Sequence, residues 1–122
     1  LRPGALLAAL EASGPRCRAV VLCNPCVPTG KVIPLACLAA LVEILERPEF
    51  EHIFVVADET FDRLCYGAEA SNACVAALPK MRHRTLLVGG LSEAYSMPGL
   101  RVSFLAAAHE GVAAAALKIR GT

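Results

Sequence analysis

The stretch Ile53-Phe54-Val55-Val56-Ala57, closed by the acidic pair Asp58-Glu59, decides the fold. Five consecutive apolar residues with no polar alternation read as a buried strand rather than a half-solvated one. Upstream, Pro34 suits a first helical position. Leu35, Leu38, Leu41, Val42 and Leu45 then form one apolar stripe, and Pro48 follows the helix end. Further upstream, Cys17–Cys23 has β-branched residues in its middle and reads as another buried strand. Leu1–Ala12 carries Leu6, Leu7 and Leu10 at helical spacing and is stopped by Ser13-Gly14-Pro15. Between that strand and the next helix, Asn24–Gly30 holds two prolines and a glycine and must be a loop.

Downstream, Ser71–Leu78 reads as a short helix ending at Pro79. Thr85–Val88 reads as a third strand running into Gly89-Gly90. Arg101–Ala107 reads as a fourth strand, and the Ala-rich run His109–Arg120 as a helix. The order is αβαβαββα. Apolar strands separated by helices imply a three-layer α-β-α domain with a mostly parallel sheet. The last two strands are joined by about a dozen residues without a clear helix, and a parallel crossover needs about that many, usually helical. Arg101–Ala107 is therefore expected to run antiparallel.

Composition narrows the function. Twelve Lys and Arg against eleven Asp and Glu leave a net charge of +1. No charged block stands out, so neither a nucleic-acid footprint nor a membrane-surface helix is supported. No apolar run approaches the roughly 18–20 residues of a membrane span. Hydrophobic residues make up 56% of the chain, too many for a disordered segment, and with 22 alanines and no Trp much of the core is expected to be small side chains. The first residue is Leu1, with no signal-peptide pattern, and the chain reads as starting inside a larger protein. Cys17, Cys23, Cys26, Cys37, Cys65 and Cys74 lie in regular, apolar stretches. They read as buried free thiols of a reducing compartment, hence of a cytoplasmic protein. Cys23-Asn24-Pro25-Cys26 has the spacing of a redox or zinc half-site. It lacks a matching second half, and His52, His83 and His109 are isolated, so no metal is expected.

In open α/β sheets, ligands bind beyond the carboxyl ends of the strands. Here those ends are Asn24–Gly30, Asp58–Phe61 and Gly89–Glu93. Arg101, at the start of an apolar strand, is costly to bury without an anionic partner, either a carboxylate such as Asp58 or Glu93 or a ligand phosphate.

Taken in order, three motifs resemble a known family. Asn24-Pro25-Cys26-Val27-Pro28-Thr29-Gly30 resembles N-P-x-N-P-T-G. Ala57-Asp58-Glu59-Thr60-Phe61 resembles A-D-E-I-Y. Gly89-Gly90-Leu91-Ser92-Glu93, four residues, then Pro98-Gly99-Leu100-Arg101 resembles G-G-L-S-K and P-G-W-R. These are motifs of fold type I aminotransferases dependent on pyridoxal 5'-phosphate (PLP), nearest the tyrosine/alanine aminotransferase branch. The resemblance runs from about Cys17 onward, and residues 1–122 would form one partial large domain.

The resemblance implies the following roles. Asp58 would pair with the pyridine nitrogen of PLP and keep it protonated, so that the ring serves as an electron sink. Arg101 would grip the cofactor phosphate, and Ser92 would hydrogen-bond near it. Three positions depart from the pattern. Glu93 stands where the family has its Schiff-base lysine, and a carboxylate cannot form an imine. Val27 replaces an asparagine and Phe61 a tyrosine, both of which serve the ring hydroxyl. All three losses fall on the side of the ring bearing the aldehyde and the hydroxyl. Glu93 either repels an anionic cofactor or pairs with Arg101 in an internal salt bridge.

The family's Gly-rich phosphate loop and ring-stacking aromatic lie upstream of the present residue 1. Its substrate-binding arginine lies downstream. The resemblance also implies a homodimer and an amino-acid/2-oxo-acid substrate if active. Three functions are therefore in play: an aminotransferase completed by flanking chain, a catalytically impaired aminotransferase-like scaffold or interaction module, and a redox or metal module on Cys23 and Cys26.

Overall fold

The computed structural model describes residues 2–66 and 73–120. Helix α1 (Pro3–Ser13) precedes strand β1 (Ala19–Cys23), helix α2 (Leu35–Leu45) and strand β2 (Phe54–Asp58). Strands β3 (Thr85–Gly90) and β4 (Ser103–Ala107) and helix α3 (Glu110–Arg120) complete the order. The sheet runs β1-β2-β3-β4, with the first three strands parallel and β4 antiparallel to β3. The mixed α/β architecture and the antiparallel last strand are thus as the sequence implies.

Register assigns the faces. Leu22 lies opposite Ala57, and Val55 opposite Thr85. Leu22, Val55 and Ala57 share one core with Leu38, Leu41, Val42 and Leu45 of α2. Leu41, Leu45 and Val55 are fully enclosed. Burying each such side chain contributes about 1.5–3 kcal/mol, so the seam between α2 and the sheet dominates the stability of this core. Leu10 of α1 joins the same core. Phe54, one residue out of phase with Val55, faces the other way and meets His109 edge-on, with ring centroids 5.6 Å apart. That contact brings the start of α3 to the opposite face, giving helices on both sides of the sheet.

Several expected boundaries are corrected. Pro34 is extended (ψ 146°) and lies just outside α2; its carbonyl accepts the first helical bond, from the Leu38 N–H at 2.9 Å. Leu35, expected on the buried stripe, is exposed, while Ile44 is buried instead. In the expected helix Ser71–Leu78, residues 71 and 72 lie outside the described residues. The rest holds a single 3-10 turn, Val75–Ala77, because Cys74 is extended (ψ 126°). Strand β4 begins at Ser103, not Arg101. The 3-10 turn Pro98–Leu100 delivers Arg101 in a left-handed conformation (φ 52°, ψ 40°), which no strand continues. Arg101 is exposed. None of the six cysteines is in a disulfide, and all are half-buried rather than enclosed. Among the described residues no helix is long and apolar enough to cross a membrane.

Candidate cofactor site

The carboxyl ends of β1, β2 and β3 are knitted together in sequence. The Asn24 N–H donates to the Asp58 carbonyl, and the Glu59 N–H to the Val88 carbonyl, each at 2.9 Å. Buried Asn24 also accepts the Ile33 N–H on its Oδ1 at 2.8 Å, so its side chain fixes both ends of the loop after β1. Within that loop the Gly30 N–H donates to the Cys26 carbonyl at 2.7 Å, and the Cys26 N–H to the Lys31 carbonyl at 2.9 Å. Gly30 has φ 66°, which only glycine adopts without strain. Val27 projects outward and is exposed.

Asp58 lies in register with Cys23 on one side and Val88 on the other. Its Oδ1 accepts the Thr60 hydroxyl at 2.7 Å and the Thr60 N–H at 3.2 Å. Sequence reasoning missed Thr60 as an orienting residue, although Asp-x-Thr is the spacing of a local side-chain turn. Glu59 points elsewhere. Burial pushes its carboxyl above the usual range; the Cys74 thiol, hydrogen-bonded to it, pulls it down, and Asp62 adds a smaller upward push. Burial likewise raises the Cys74 thiol, and Glu59 raises it further. Phe61 is half-buried in the turn that follows β2.

The third loop leaves β3 at Gly90, which pairs with Ser103. The Leu91 N–H to Val102 carbonyl bond (3.0 Å) extends that ladder by one step. Residues 92–101 therefore form an excursion that departs from and returns to the same sheet edge. Inside it the Met97 N–H donates to the Ser92 carbonyl at 3.0 Å, and the Tyr95 N–H to the Leu91 carbonyl at 3.2 Å. Ser92 is half-buried at its start.

Glu93 and Arg101 both stand on this excursion and both are exposed. They do not pair. Among the described residues the ion pairs are Arg63–Asp62 at 3.4 Å and Lys80–Glu46 at 3.6 Å. The Arg101 guanidinium instead donates a long bond, 3.5 Å, to the Pro98 carbonyl of its own loop. The internal Glu93–Arg101 salt bridge is thus corrected: solvent satisfies both charges, so neither has a reason to reach the other. The costly burial expected for Arg101 does not arise either.

The Cys23 thiol donates to the Pro25 carbonyl at 3.2 Å and the Cys26 thiol to the Val27 carbonyl at 3.6 Å. Among the described residues no group of three or more His, Cys, Asp and Glu is placed to hold a metal ion.

The residues present fit the ionic ends of PLP. A half-buried, oriented carboxylate suits the pyridine nitrogen, and an exposed guanidinium suits a phosphate. They do not fit its covalent attachment, since Glu93 offers no amine.

A parallel three-stranded sheet with a fourth strand reversed, and polar loops at its carboxyl ends, makes this an open-sheet α/β domain of the ligand-binding class. The family model for aminotransferase class I and II matches residues 2–122, and the chain belongs to that family. It is 37% identical over 97 residues to the bifunctional aspartate aminotransferase and glutamate/aspartate-prephenate aminotransferase of Petunia hybrida, covering 80% of this chain and 20% of that protein. The aspartate aminotransferase structure from Rhizobium meliloti superposes with a TM-score of 0.80 at 30% identity, over 90% of this chain and 26% of that one. A double mutant of Thermus thermophilus aspartate aminotransferase gives a TM-score of 0.82 at 28% identity, over 100% and 29%. The chain therefore spans about a fifth to under a third of the length of these relatives.

Proposed function

We propose that this chain is the centre of an aminotransferase large domain in which the cofactor's covalent anchor is gone, so that transamination is absent or very poor. The observation that carries this reading is Glu93. It occupies the lysine position of the family motif on the excursion between β3 and β4, exposed and outside both ion pairs found among the described residues. The family's lysine both holds the cofactor and shuttles a proton between substrate and cofactor, and an exposed carboxylate does neither. Val27 and Phe61 remove two further hydrogen bonds, each worth about 1–3 kcal/mol when its partner is left unsatisfied.

Asp58 and Arg101 remain, which supports residual noncovalent binding. By its own chemistry PLP would supply an electron sink at the ring; in this reading Asp58 holds the ring nitrogen's proton, Arg101 and Ser92 hold the phosphate, and no residue moves the substrate proton. Family membership supports a homodimer and, where activity persists, an amino-acid/2-oxo-acid substrate, while the six thiols support a reducing, cytoplasmic location.

The names of the relatives favour a second reading, an active amino-acid transaminase whose remaining chain supplies the missing groups. Turnover of amino-acid and 2-oxo-acid pairs by the full-length protein separates the two. No turnover in the wild type, together with a visible absorbance band gained on adding PLP to Glu93→Lys, is the outcome expected of the first. Turnover by the wild type overturns it.

A further inference from the structure

We propose that Cys23 and Cys26 are a thiol–disulfide pair, closed by a small disulfide such as oxidised glutathione and reopened by a thiol. The two flank Asn24-Pro25 where β1 ends, and Cys23 lies in register with Asp58. The Cys23 thiol is already turned along the loop toward its partner, since it donates to the Pro25 carbonyl at 3.2 Å. Across a trans peptide a carbonyl oxygen stands about 2.8 Å from the next Cα, so the Cys23 sulfur lies within about 6 Å of the Cys26 Cα. In a closed disulfide, with its S–S bond of about 2.05 Å, that distance is roughly 3–4.5 Å. Closure therefore takes side-chain rotation and a local shift of no more than about 3 Å.

The backbone keeps the two thiols together. The Asn24 N–H is tied to the Asp58 carbonyl at 2.9 Å, and Asn24 Oδ1 to the Ile33 N–H at 2.8 Å. The Cys26 N–H is tied to the Lys31 carbonyl at 2.9 Å, and its carbonyl to the Gly30 N–H at 2.7 Å. Each sulfur thus meets the other at a high effective concentration. Both residues are half-buried, which leaves them open to a small oxidant. Oxidation gives up only two weak thiol donors, those to the Pro25 and Val27 carbonyls. A metal would need further ligands, and among the described residues no group of three or more is placed to supply them. In a reducing compartment such a pair stays open and closes under oxidative load.

The chemistry balances in two exchanges. One protein thiolate attacks glutathione disulfide, forms a mixed disulfide and releases one glutathione thiolate. The second protein thiolate attacks the protein sulfur of that mixed disulfide and releases the other glutathione. Two electrons pass from the protein to glutathione, and the two thiol protons end on the two glutathione thiols.

The test is to equilibrate the full-length protein with glutathione disulfide, block the remaining thiols with iodoacetamide and read tryptic peptides by mass spectrometry. Cleavage after Arg18 and Lys31 puts both cysteines on residues 19–31, and cleavage after Arg63 and Lys80 puts Cys65 and Cys74 on residues 64–80. The second peptide is the comparator, because burial and Glu59 raise the Cys74 thiol above its ordinary range and withhold the thiolate that exchange needs. The expected result is residues 19–31 unalkylated and lighter by two hydrogens, at roughly fivefold or more the extent of oxidation in residues 64–80, with full alkylation restored by dithiothreitol. In Cys23→Ser or in Cys26→Ser the remaining thiol is expected to keep glutathione as a mixed disulfide. Both cysteines alkylated after oxidation, a lasting glutathione adduct in the wild type, a disulfide to any other cysteine, equal oxidation of the comparator, or no adduct in either variant would each overturn the proposal.

Discussion

Thr60 holds Asp58 by two bonds to one oxygen: its hydroxyl donates to Asp58 Oδ1 at 2.7 Å and its N–H at 3.2 Å. The carboxylate at the end of β2 is thereby fixed by the residue two positions on. A group that must meet a ring nitrogen gains from such preorganisation, because its rotamer is not chosen at the moment of binding. Thr60→Val keeps the N–H bond and the side-chain shape and loses the hydroxyl. The expected outcome is a loss of about two- to tenfold in affinity for the phosphorylated pyridine ligand of the full-length protein, less than the full worth of a charge-assisted hydrogen bond because the Thr60 N–H still holds Asp58. Calorimetric titration measures it, and an unchanged affinity would argue against Thr60 as an orienting residue.

Gly89 sits directly under the ring of Phe104, its cross-strand partner. A Cβ on residue 89 would collide with that ring, so glycine is required here by space rather than by backbone conformation. Gly89→Ala is expected to destabilise the fold by about 1–3 kcal/mol through overpacking. In a Phe104→Ala background the same change should cost much less. Chemical denaturation of the two single variants and the double variant gives the coupling; additive effects would mean that the ring is not the obstacle.

The strands, their parallel order and the reversal of β4 were legible in the sequence because continuous apolar runs and short connections leave few alternatives. The edge of the sheet that carries the candidate site was legible for the same reason. What escaped was set by contacts distant in sequence. The helix expected from Ser71 to Leu78 fails in its described part, where Cys74 hydrogen-bonds to Glu59 and its backbone is extended. Arg101 lost its place in β4 to the turn Pro98–Leu100, although Pro-Gly was visible there as a turn signal.

Arg84 gave no signal at all. Lying one residue before β3, it reads as an ordinary charge. In the fold its Nε donates to the Ile53 carbonyl at 3.1 Å, and its Nη2 to the carbonyls of Leu45 and Phe50 at 3.0 and 3.3 Å. It thus ties the end of α2 and the entry to β2 to the start of β3. Arg84→Met keeps the aliphatic stem and removes three bonds to carbonyls, of which that of Phe50 still accepts the Ile53 N–H at 3.0 Å. A loss of about 2–4 kcal/mol is expected, at roughly 1–1.5 kcal/mol per bond with part recovered by water. Urea denaturation checks it, and a loss below about 0.5 kcal/mol, the range of ordinary surface changes, would show the clamp to be dispensable.

Glu59 makes stability depend on pH in the direction opposite to a salt-bridged carboxylate. Burial is the largest cause raising its pKa above the ordinary value of 4.5, so the fold favours its protonated form. The stabilisation from taking up that proton is fully present below 4.5, and it is lost as pH rises through the higher folded value. At neutral pH the carboxylate is held half-buried at a cost that Cys74, donating its thiol proton, offsets in part. Glu59→Gln removes the charge while leaving an oxygen for the same thiol. The variant is therefore expected to be more stable than the wild type at pH 7, with the difference shrinking as pH falls toward 4.5. Paired urea titrations across that range measure the gap between the two proteins, which cancels the acid sensitivity they share. A gap that widens on acidification would mean that the carboxylate is stabilised as an anion after all and that Cys74, rather than burial, governs it.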